Sequence, residues 1–201
     1  MTPARLTPSR RTPGRRPGGP DTRGEIVLAA RESFADKGFA ATSMRAVARR
    51  AGVDAALVHH YFDSKDELFV EAMAIPVDPR QVAARILDGP PQDMGRRIAT
   101  VFLGVWESDE GQQRMKAIFR SVVASDDVAR MMREGITQMI IQPVSRALDA
   151  PDASLRVGLV ATQLVGAAMV RYLVGLEPIA SIDIETLIDR LAPVLQQHLT
   201  G

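Results

Sequence analysis

Apolar residues recur at intervals of three and four positions along most of the chain, a spacing that is typical of amphipathic α-helices. In a first helix, predicted near residues 23–37, the apolar face consists of Ile26, Ala29, Ala30, Phe34 and, beyond the end, Phe39. The same pattern predicts six later helices, near residues 79–87, 92–108, 111–124, 127–148, 153–175 and 183–199. The chain is therefore predicted to adopt an all-α fold.

Capping signals mark both ends of the first helix and the start of the fourth. Thr22 stands three residues before Glu25, and Ser64 stands three residues before Glu67, which is the spacing of a capping box at a helix start. Gly38 is a candidate C-cap because glycine readily adopts the left-handed backbone at a helix end. These residues predict where the first helix begins and stops and where the fourth begins.

Two short helices are predicted between them. Thr42 or Ser43 caps the second helix, which stops at Gly52, and Asp54 caps the third, which ends near Phe62. A short helix, a tight turn containing glycine and a second short helix form the helix-turn-helix arrangement that places one helix in the DNA major groove. This stretch is the first indication of DNA binding.

The third helix is predicted to turn one face to the core and the other to a partner. Its inward residues are predicted to be Val53, Val58, Tyr61 and Phe62. Its outward residues are predicted to be Ala55, Ala56, Leu57, His59 and His60. Alanines permit close approach to a groove, imidazoles donate hydrogen bonds, and a leucine can contact a thymine methyl group. The outward face therefore suits contact with base edges.

The adjacent histidines have other interpretations. Neighbouring residues on a helix face different directions, so His59 and His60 cannot chelate one metal ion as an i, i+4 pair can. No arrangement of nucleophile, base and orienting carboxylate is visible in the sequence, which predicts neither a metal site nor a cofactor. Two solvated or partly buried histidines remain the alternative to DNA contact.

Positive charge is concentrated at the N-terminus, although the formal net charge is only +1. Residues 1–23 contain six arginines and a single acid, Asp21, among prolines and glycines. With almost nothing to bury, residues 1–22 are predicted to form a disordered basic arm. This arm either binds DNA phosphates or is a solvated tail, and composition leaves both open.

Neither a membrane span nor a disulfide framework is predicted. The longest apolar stretch of the C-terminal part lies between Arg156 and Arg171 and contains Thr162 and Gln163, so it is predicted to be a buried helix rather than a bilayer span. The N-terminus lacks the apolar segment of a secretory signal, and the chain has no cysteine. A soluble, cytoplasmic protein is expected.

The stretch "ARESFADKGFAATSMRAVARRAGV" followed by "LVHHYFDSKDELF" resembles the N-terminal domain of TetR-family transcriptional regulators. The resemblance covers about residues 25–73, and the ending "HYF-x-SK-x-x-L" is its most specific part. It implies a helix-turn-helix domain over residues 23–73 that binds double-stranded operator DNA as a homodimer. It also implies that residues 74–201 form a larger helical domain for dimerisation and for binding a small-molecule effector.

The resemblance assigns DNA-contact roles residue by residue. Lys65 matches a family position that commonly contacts phosphate, with a solvated lysine paired to nearby acids as the alternative. His60 matches the histidine of the frequent "YHYF" ending, whereas His59 replaces its usual tyrosine and Asp54 replaces a frequent serine.

The start of the second helix offers further candidates for phosphate contact. These are Thr42, Ser43 and Arg45, and a capping role is favoured for Thr42.

The C-terminal domain offers candidates for a ligand pocket. Methionines and one tryptophan surrounded by few polar atoms suit an apolar or aromatic molecule, although core packing explains each residue singly. The candidate residues are Phe102, Trp106, Met115, Phe119, Met139 and Tyr172. Tyr172, Gln163 or Arg171 is the expected polar partner of such a ligand.

Small residues in the predicted helix 153–175 permit close helix approach. Paired with helix 183–199, this helix is predicted to form half of a four-helix dimer interface, with packing inside one subunit as the alternative. Pro143 and Pro193 are each expected to kink or split their helices.

The sequence thus predicts a ligand-responsive DNA-binding regulator, most simply a repressor released by an apolar or aromatic molecule. Two other functions stay open at this point. One is an enzyme with its active site in the helical domain, which requires clustered ionisable groups. The other is a constitutive DNA-binding module without a ligand.

Overall fold

The structure is a computed structural model that describes residues 21–200, so the predicted arm lies almost wholly outside the described residues. Within this range every regular element is helical, as predicted. The eleven α-helices of the described part are α1 (Thr22–Ala41), α2 (Met44–Ala51), α3 (Ala55–Tyr61), α4 (Lys65–Ala72), α5 (Pro79–Leu87), α6 (Met94–Gly104), α7 (Asp109–Ala124), α8 (Asp126–Ile136), α9 (Gln142–Leu148), α10 (Ala153–Ala168) and α11 (Ile184–Thr200).

Three of the predicted caps are confirmed. The side chains of Ser43, Asp54 and Ser64 accept hydrogen bonds from backbone N–H groups in the first turns of α2, α3 and α4. Gly52 ends α2 in the left-handed conformation, with φ +68°. These contacts set the lengths of the short helices and the turn between α2 and α3.

The capping box at Thr22 is wrong. Asp21 is the N-cap residue of α1, and Thr22 lies buried inside the first turn. The predicted stop at Gly38 is only partly right, because Gly38 has φ +78° and interrupts the helix, which continues for one further turn to Ala41. The glycine therefore introduces a kink rather than the end of α1.

Thr42 neither caps α2 nor lies on the surface. Its side chain is buried, and its hydroxyl donates to the carbonyl oxygens of Ser33 at 3.0 Å and Gly38 at 2.8 Å. The neighbouring Ser43 is the cap. Because its hydroxyl points inward, Thr42 connects the residues just before α2 to the C-terminal part of α1.

Buried apolar residues form two clusters. The first, here called the N-terminal cluster, fills α1–α4 and extends into α7, α8 and the segment after it through Ile118, Met131, Met132 and Met139. The second, here called the C-terminal cluster, joins α5, α6, α9, α10 and α11. The first cluster therefore crosses the predicted domain boundary near residue 73.

The run from Asp126 to Leu148 confirms that Pro143 interrupts its helix. α8 passes into a π-helical segment, Thr137–Ile141, and α9 resumes at Gln142. A second π-helical segment, Met169–Val174, follows α10. Pro193 by contrast lies inside α11 without splitting it.

The prediction that the apolar helix near residues 153–175 is buried is wrong for the single chain. The stretch Ala153–Val174 has a mean hydropathy of 1.6 and the length of a membrane span, yet only 22% of its most apolar window is buried. Its exposed apolar side chains are Leu155, Leu159, Val165, Met169, Leu173 and Val174. This helix has an apolar outer face that residues 21–200 of the single chain do not cover.

Candidate DNA-binding surface and ligand cavity

α3 presents a small, polar outer surface. Val58 and Phe62 are buried and hold the helix against the N-terminal cluster, with Val53 and Tyr61 partly buried beside them, as predicted. Ala56, His59 and His60 are exposed, whereas Leu57 is half-buried.

Ala55, predicted to face outward, is half-buried and packs against the cluster because α3 approaches the core with its first turn. Asp54 is exposed, but its carboxylate accepts from Ala56 N at 2.7 Å. The groups left for a partner are the two imidazoles, Ala56 and part of Leu57.

α2 places cations beside this surface. Arg45 and Arg49 are exposed at i, i+4 on α2, and neither guanidinium has a hydrogen bond or ion pair within residues 21–200. Arg50, in contrast, is paired with Glu32 and Asp36. Arg49 was not predicted from the sequence. Its position four residues after Arg45, which places both arginines on the same face of a helix, could have identified it. Two uncompensated cations are therefore available to phosphate groups.

Lys65 lies at the start of α4 with its ammonium turned toward the end of α1. It donates to Phe39 O at 3.0 Å and Ala40 O at 3.4 Å and lies 4.4 Å from the centre of the Phe39 ring. The alternative of a solvated lysine paired with neighbouring acids is therefore wrong. Lys65 joins α4 to α1 at the edge of the candidate DNA-binding surface.

An apolar cavity of about 230 Å³ lies in the C-terminal part of the protein, between the two clusters. α5, α6, α7, α8, α9, α10 and the segment between α4 and α5 all contribute lining residues, and every one is apolar. Phe102 and Met115 are the two predicted pocket residues that line it. An enclosure of this chemistry suits a hydrocarbon group.

The other four predicted pocket residues lie elsewhere. Trp106 is 1% exposed because the Tyr172 ring stacks on it at 5.0 Å and the Phe119 ring lies at 5.6 Å. Met139 is buried in the N-terminal cluster. Phe119 of α7 and Tyr172 of the π-helical segment after α10 both pack on Trp106, which follows α6, and none of the three lines the cavity.

The polar groups expected to bind a ligand have structural partners or lie outside the lining. The Tyr172 hydroxyl donates to Glu107 at 2.6 Å, and burial, together with this bond, raises the pKa of Tyr172 to about 12. Arg171 donates to the carbonyl oxygens of Ile179 and Ile182. Gln163 is exposed and does not line the cavity.

α8 connects the cavity to the helix-turn-helix. Met132 and Ile136 of α8 line the cavity. From the same helix, the Glu134 carboxylate accepts from Phe39 N at 2.6 Å, and Arg130 donates to Ala35 O. α8 therefore contacts the end of α1 directly, at Phe39, four residues before the α2 cap Ser43.

α4 is held by the same helix. A Cβ atom added at Gly135 of α8 would lie 2.5 Å from the Phe69 ring of α4, so the two helices touch at a point where only glycine fits. Ile75 and Val77, just beyond α4, line the cavity. The cavity wall is thus linked to the DNA-binding helices by α8 and by α4.

No group of three or more possible metal ligands occurs among residues 21–200. His59 and His60 lie exposed on α3.

Comparison with known proteins identifies the family. The model for bacterial regulatory proteins of the tetR family matches residues 26–72, which include α2, α3 and α4. The model for the tetracyclin repressor-like C-terminal domain matches residues 92–199, more than half of the chain. The chain belongs to the TetR family of transcriptional regulators.

Individual proteins are similar to this chain over different lengths. The transcriptional activator FasR of Mycolicibacterium smegmatis is 30% identical over 149 residues, which are 70% of this chain and 68% of FasR. The regulator BetI of Rhizobium meliloti is 45% identical over 51 residues, 25% of each chain. A TetR-family regulator of Streptomyces coelicolor A3, whose structure is known, is 36% identical, with 94% of this chain and 99% of that chain covered and a TM-score of 0.48.

Membership of the family confirms the predicted helix-turn-helix and the predicted function of a DNA-binding transcriptional regulator. Regulators of this family bind operator DNA, usually as dimers, and are in general not enzymes. The comparisons therefore favour a ligand-responsive DNA-binding repressor over an enzyme or a constitutive module.

Proposed function

We propose that this TetR-family protein is a homodimeric, cytoplasmic repressor that leaves its operator when an apolar molecule occupies the cavity. The observation that carries the proposal is the double role of α8, which lines the cavity and also contacts α1 and α4. The repressor-like C-terminal match supports repression, whereas FasR is named an activator.

The dimer interface is proposed to be the uncovered face of α10 together with α11. Leu155, Leu159 and Val165 lie along α10, four and six positions apart, and each is more than a third exposed. Val194 adds an exposed apolar side chain from α11. A Cβ atom at Gly158 or Gly166 would meet no atom within 4 Å, so no other element among residues 21–200 covers those positions. A partner helix would bury this surface.

DNA contact is proposed for the outer surface of α3 and the start of α2. His59, His60, Ala56 and Leu57 would approach base edges, and Ser43, Arg45, Arg49 and Lys65 would contact the phosphate backbone. Thr42 is left out because it is buried, and Asp54 and Ala55 serve mainly to start α3.

The DNA-binding proposal is tested with a duplex selected from genomic fragments. His60→Ala should weaken the selected site more than a scrambled one, by about 1–3 kcal/mol for a lost base contact. Arg49→Ala should weaken both because a phosphate contact is independent of sequence. Arg120→Ala, an exposed change on α7 away from α2, α3 and the proposed dimer interface, is the matched control and should leave binding unchanged. Equal loss on both duplexes for His60→Ala would remove His60 from base recognition.

Ligand response is tested by measuring operator affinity with and without apolar and aromatic metabolites. A ligand can shift this equilibrium only by the difference between its affinities for the two conformations, typically about 5 to 150-fold. Operator DNA must weaken ligand binding by the same factor. Tight ligands that leave operator affinity unchanged would show a cavity without coupling.

A further inference from the structure

A second hollow, of about 500 Å³, adjoins the apolar cavity beside α5 and α6. Four valines line both spaces: Val77, Val82, Val101 and Val105. The cavity and the second hollow are therefore neighbours that share these valines. Only the second has polar side chains in its lining, and we call it the vestibule.

The vestibule contains one cation. Arg85 of α5 lines it together with Gln81, one turn earlier, and Thr100 of α6. All three side chains are exposed, and none has a hydrogen bond or ion pair anywhere between residues 21 and 200. Arg97, on the neighbouring helix, by contrast donates to Ile86 O at 2.9 Å and Pro90 O at 2.8 Å. Arg85 is thus a cation without a structural partner in the described part of the chain.

The acid in the vestibule is already engaged. Asp78 caps α5, and its Oδ1 accepts from Arg80 N at 2.9 Å. The Arg80 guanidinium lies 3.8 Å from the same oxygen. Its negative charge is partly compensated, so the uncompensated charge of the vestibule is the positive charge of Arg85.

We propose that the effector is an amphipathic anion, with a hydrocarbon chain in the apolar cavity and a terminal carboxylate in the vestibule at Arg85. Gln81 and Thr100 donate further hydrogen bonds to the carboxylate. This inference rests on the proposed function and specifies the chemical class of the ligand of that same cavity.

The two spaces make separable contributions to binding. Each methylene transferred from water into the cavity should tighten binding about fourfold until the cavity is full. A guanidinium binds a carboxylate through two parallel hydrogen bonds, but an exposed arginine is screened by water and salt. We therefore expect the carboxylate to contribute roughly three- to tenfold at low ionic strength, and less as salt is added.

The test measures binding to the full-length protein without DNA by isothermal titration calorimetry. The probes are octanoate, decanoate and dodecanoate, the matching primary alcohols, and dodecyltrimethylammonium. The ionic probes are kept below their critical micelle concentrations and the alcohols below their solubility limits. Arg85→Gln removes the cation of the vestibule. Arg120→Gln is the matched control because Arg120 is exposed on α7, outside both spaces, and likewise has no hydrogen bond or ion pair among the residues that the structure describes.

The proposal expects carboxylates to bind more tightly than alcohols of equal length, and both series to tighten as the chain grows. Arg85→Gln should bring the carboxylate down to the affinity of the alcohol while leaving the alcohol unchanged, and Arg120→Gln should change neither. Equal affinities of carboxylate and alcohol in the unmodified protein, preference for the ammonium probe, or no binding by any series would overturn it.

Operator release, measured with the same probes, separates this inference from the proposed function. If carboxylates bind through Arg85 but leave operator affinity unchanged, the proposal of a ligand-released repressor is contradicted and the proposed chemical class of the ligand is supported. Release by neutral apolar molecules, with no advantage for carboxylates, would refute the ligand class and keep the repressor.

Discussion

The two apolar clusters of this protein are packed differently. In the N-terminal cluster the rings of Phe34, Phe39 and Phe69 lie within 5.0–5.8 Å of one another, and each is at most 4% exposed. The C-terminal cluster consists mainly of aliphatic side chains, and the cavity lies along its border with the first. The DNA-binding helices thus rest on a filled core, and packing is incomplete at the cavity.

This difference assigns the two clusters different tasks. A close-packed aromatic core moves as a unit and does not deform continuously. A void beside aliphatic side chains is free to accept a ligand. α8 contributes to the N-terminal cluster and to the cavity wall, since Met131 and Met132 lie in that cluster and Met132 and Ile136 line the cavity. Occupation of the void is therefore expected to displace α8 and with it the whole aromatic unit.

The largest expected effect comes from deleting equivalent side chains in the two regions. Phe69→Ala should cost about 3–5 kcal/mol of unfolding free energy because Phe69 is fully buried against two rings and α8. Phe102→Ala should cost about 1–2 kcal/mol because Phe102 is half-buried and already borders the cavity. Urea denaturation measures both, and equal losses would contradict the comparison.

Adding volume sharpens the same contrast. Ala161→Leu points new atoms into the cavity and should change stability by less than about 1 kcal/mol while weakening ligand binding. Ala99→Leu forces the same atoms into a position that is 0% exposed and should cost about 1–3 kcal/mol. Thermal unfolding compares the pair. Destabilisation by Ala161→Leu as large as that by Ala99→Leu would place the void elsewhere.

Cutting the link between the regions should have a smaller effect on stability. Glu134→Ala leaves the N–H groups of Phe39 and Ala40 without their carboxylate acceptor, at a cost of about 1 kcal/mol. Ligand-induced release from the operator should fall with it, although ligand affinity for the free protein should not. Gln138→Ala, an exposed change one turn later, is the control. Unchanged ligand response in Glu134→Ala would exclude this route of coupling.

The smallest effect is expected from an ion pair on the outer surface of the N-terminal region. Arg23 donates to Glu71 at 2.7 Å, and this bond lowers the pKa of the Glu71 carboxyl. A lowered pKa means that the pair stabilises the fold above the ordinary glutamate pKa and ceases to do so as the pH falls through the lowered value.

Both side chains are nearly half exposed, so the contribution should be only a few tenths of a kcal/mol. Arg23→Gln should reduce the stability difference between neutral and acid pH by that amount, as followed by urea denaturation at several pH values. Strong salt should remove the difference between the variant and the unmodified protein. A salt-independent effect would mean that Arg23 acts through packing on Phe62 instead.

Local signals in the sequence were sufficient to predict much of the fold. Ser43, Asp54 and Ser64 cap helices because their side chains reach backbone N–H groups two or three residues away, and such contacts depend on adjacent residues alone. Thr42 carries the same kind of hydroxyl, but its partners are carbonyls of α1 whose position depends on the tertiary fold. Sequence periodicity could not distinguish Thr42 from a cap.

The candidate site was predictable in part for the same reason. The exposure of His59 and His60 follows from the helical period around Val58, a local property. The cavity depends on how elements distant in the sequence meet, so the sequence identified apolar residues but not which of them border a void. Trp106 was misplaced because it packs against Tyr172, 66 positions later in the chain.

The π-helical segment Thr137–Ile141 has a consequence for insertions and deletions. A π-helical turn accommodates one residue more than an α-helical turn, and here it stands immediately before α9, whose Val144 is 1% exposed in the C-terminal cluster. Removing one residue from the segment would therefore turn it into a regular α-helical turn and leave the faces of α9 in nearly the same orientation relative to α8. The same deletion within the regular part of α8 would rotate everything after it by about 100° and take the α9 side chains out of the cluster. The chain should therefore tolerate the loss of one residue in this segment better than in α8.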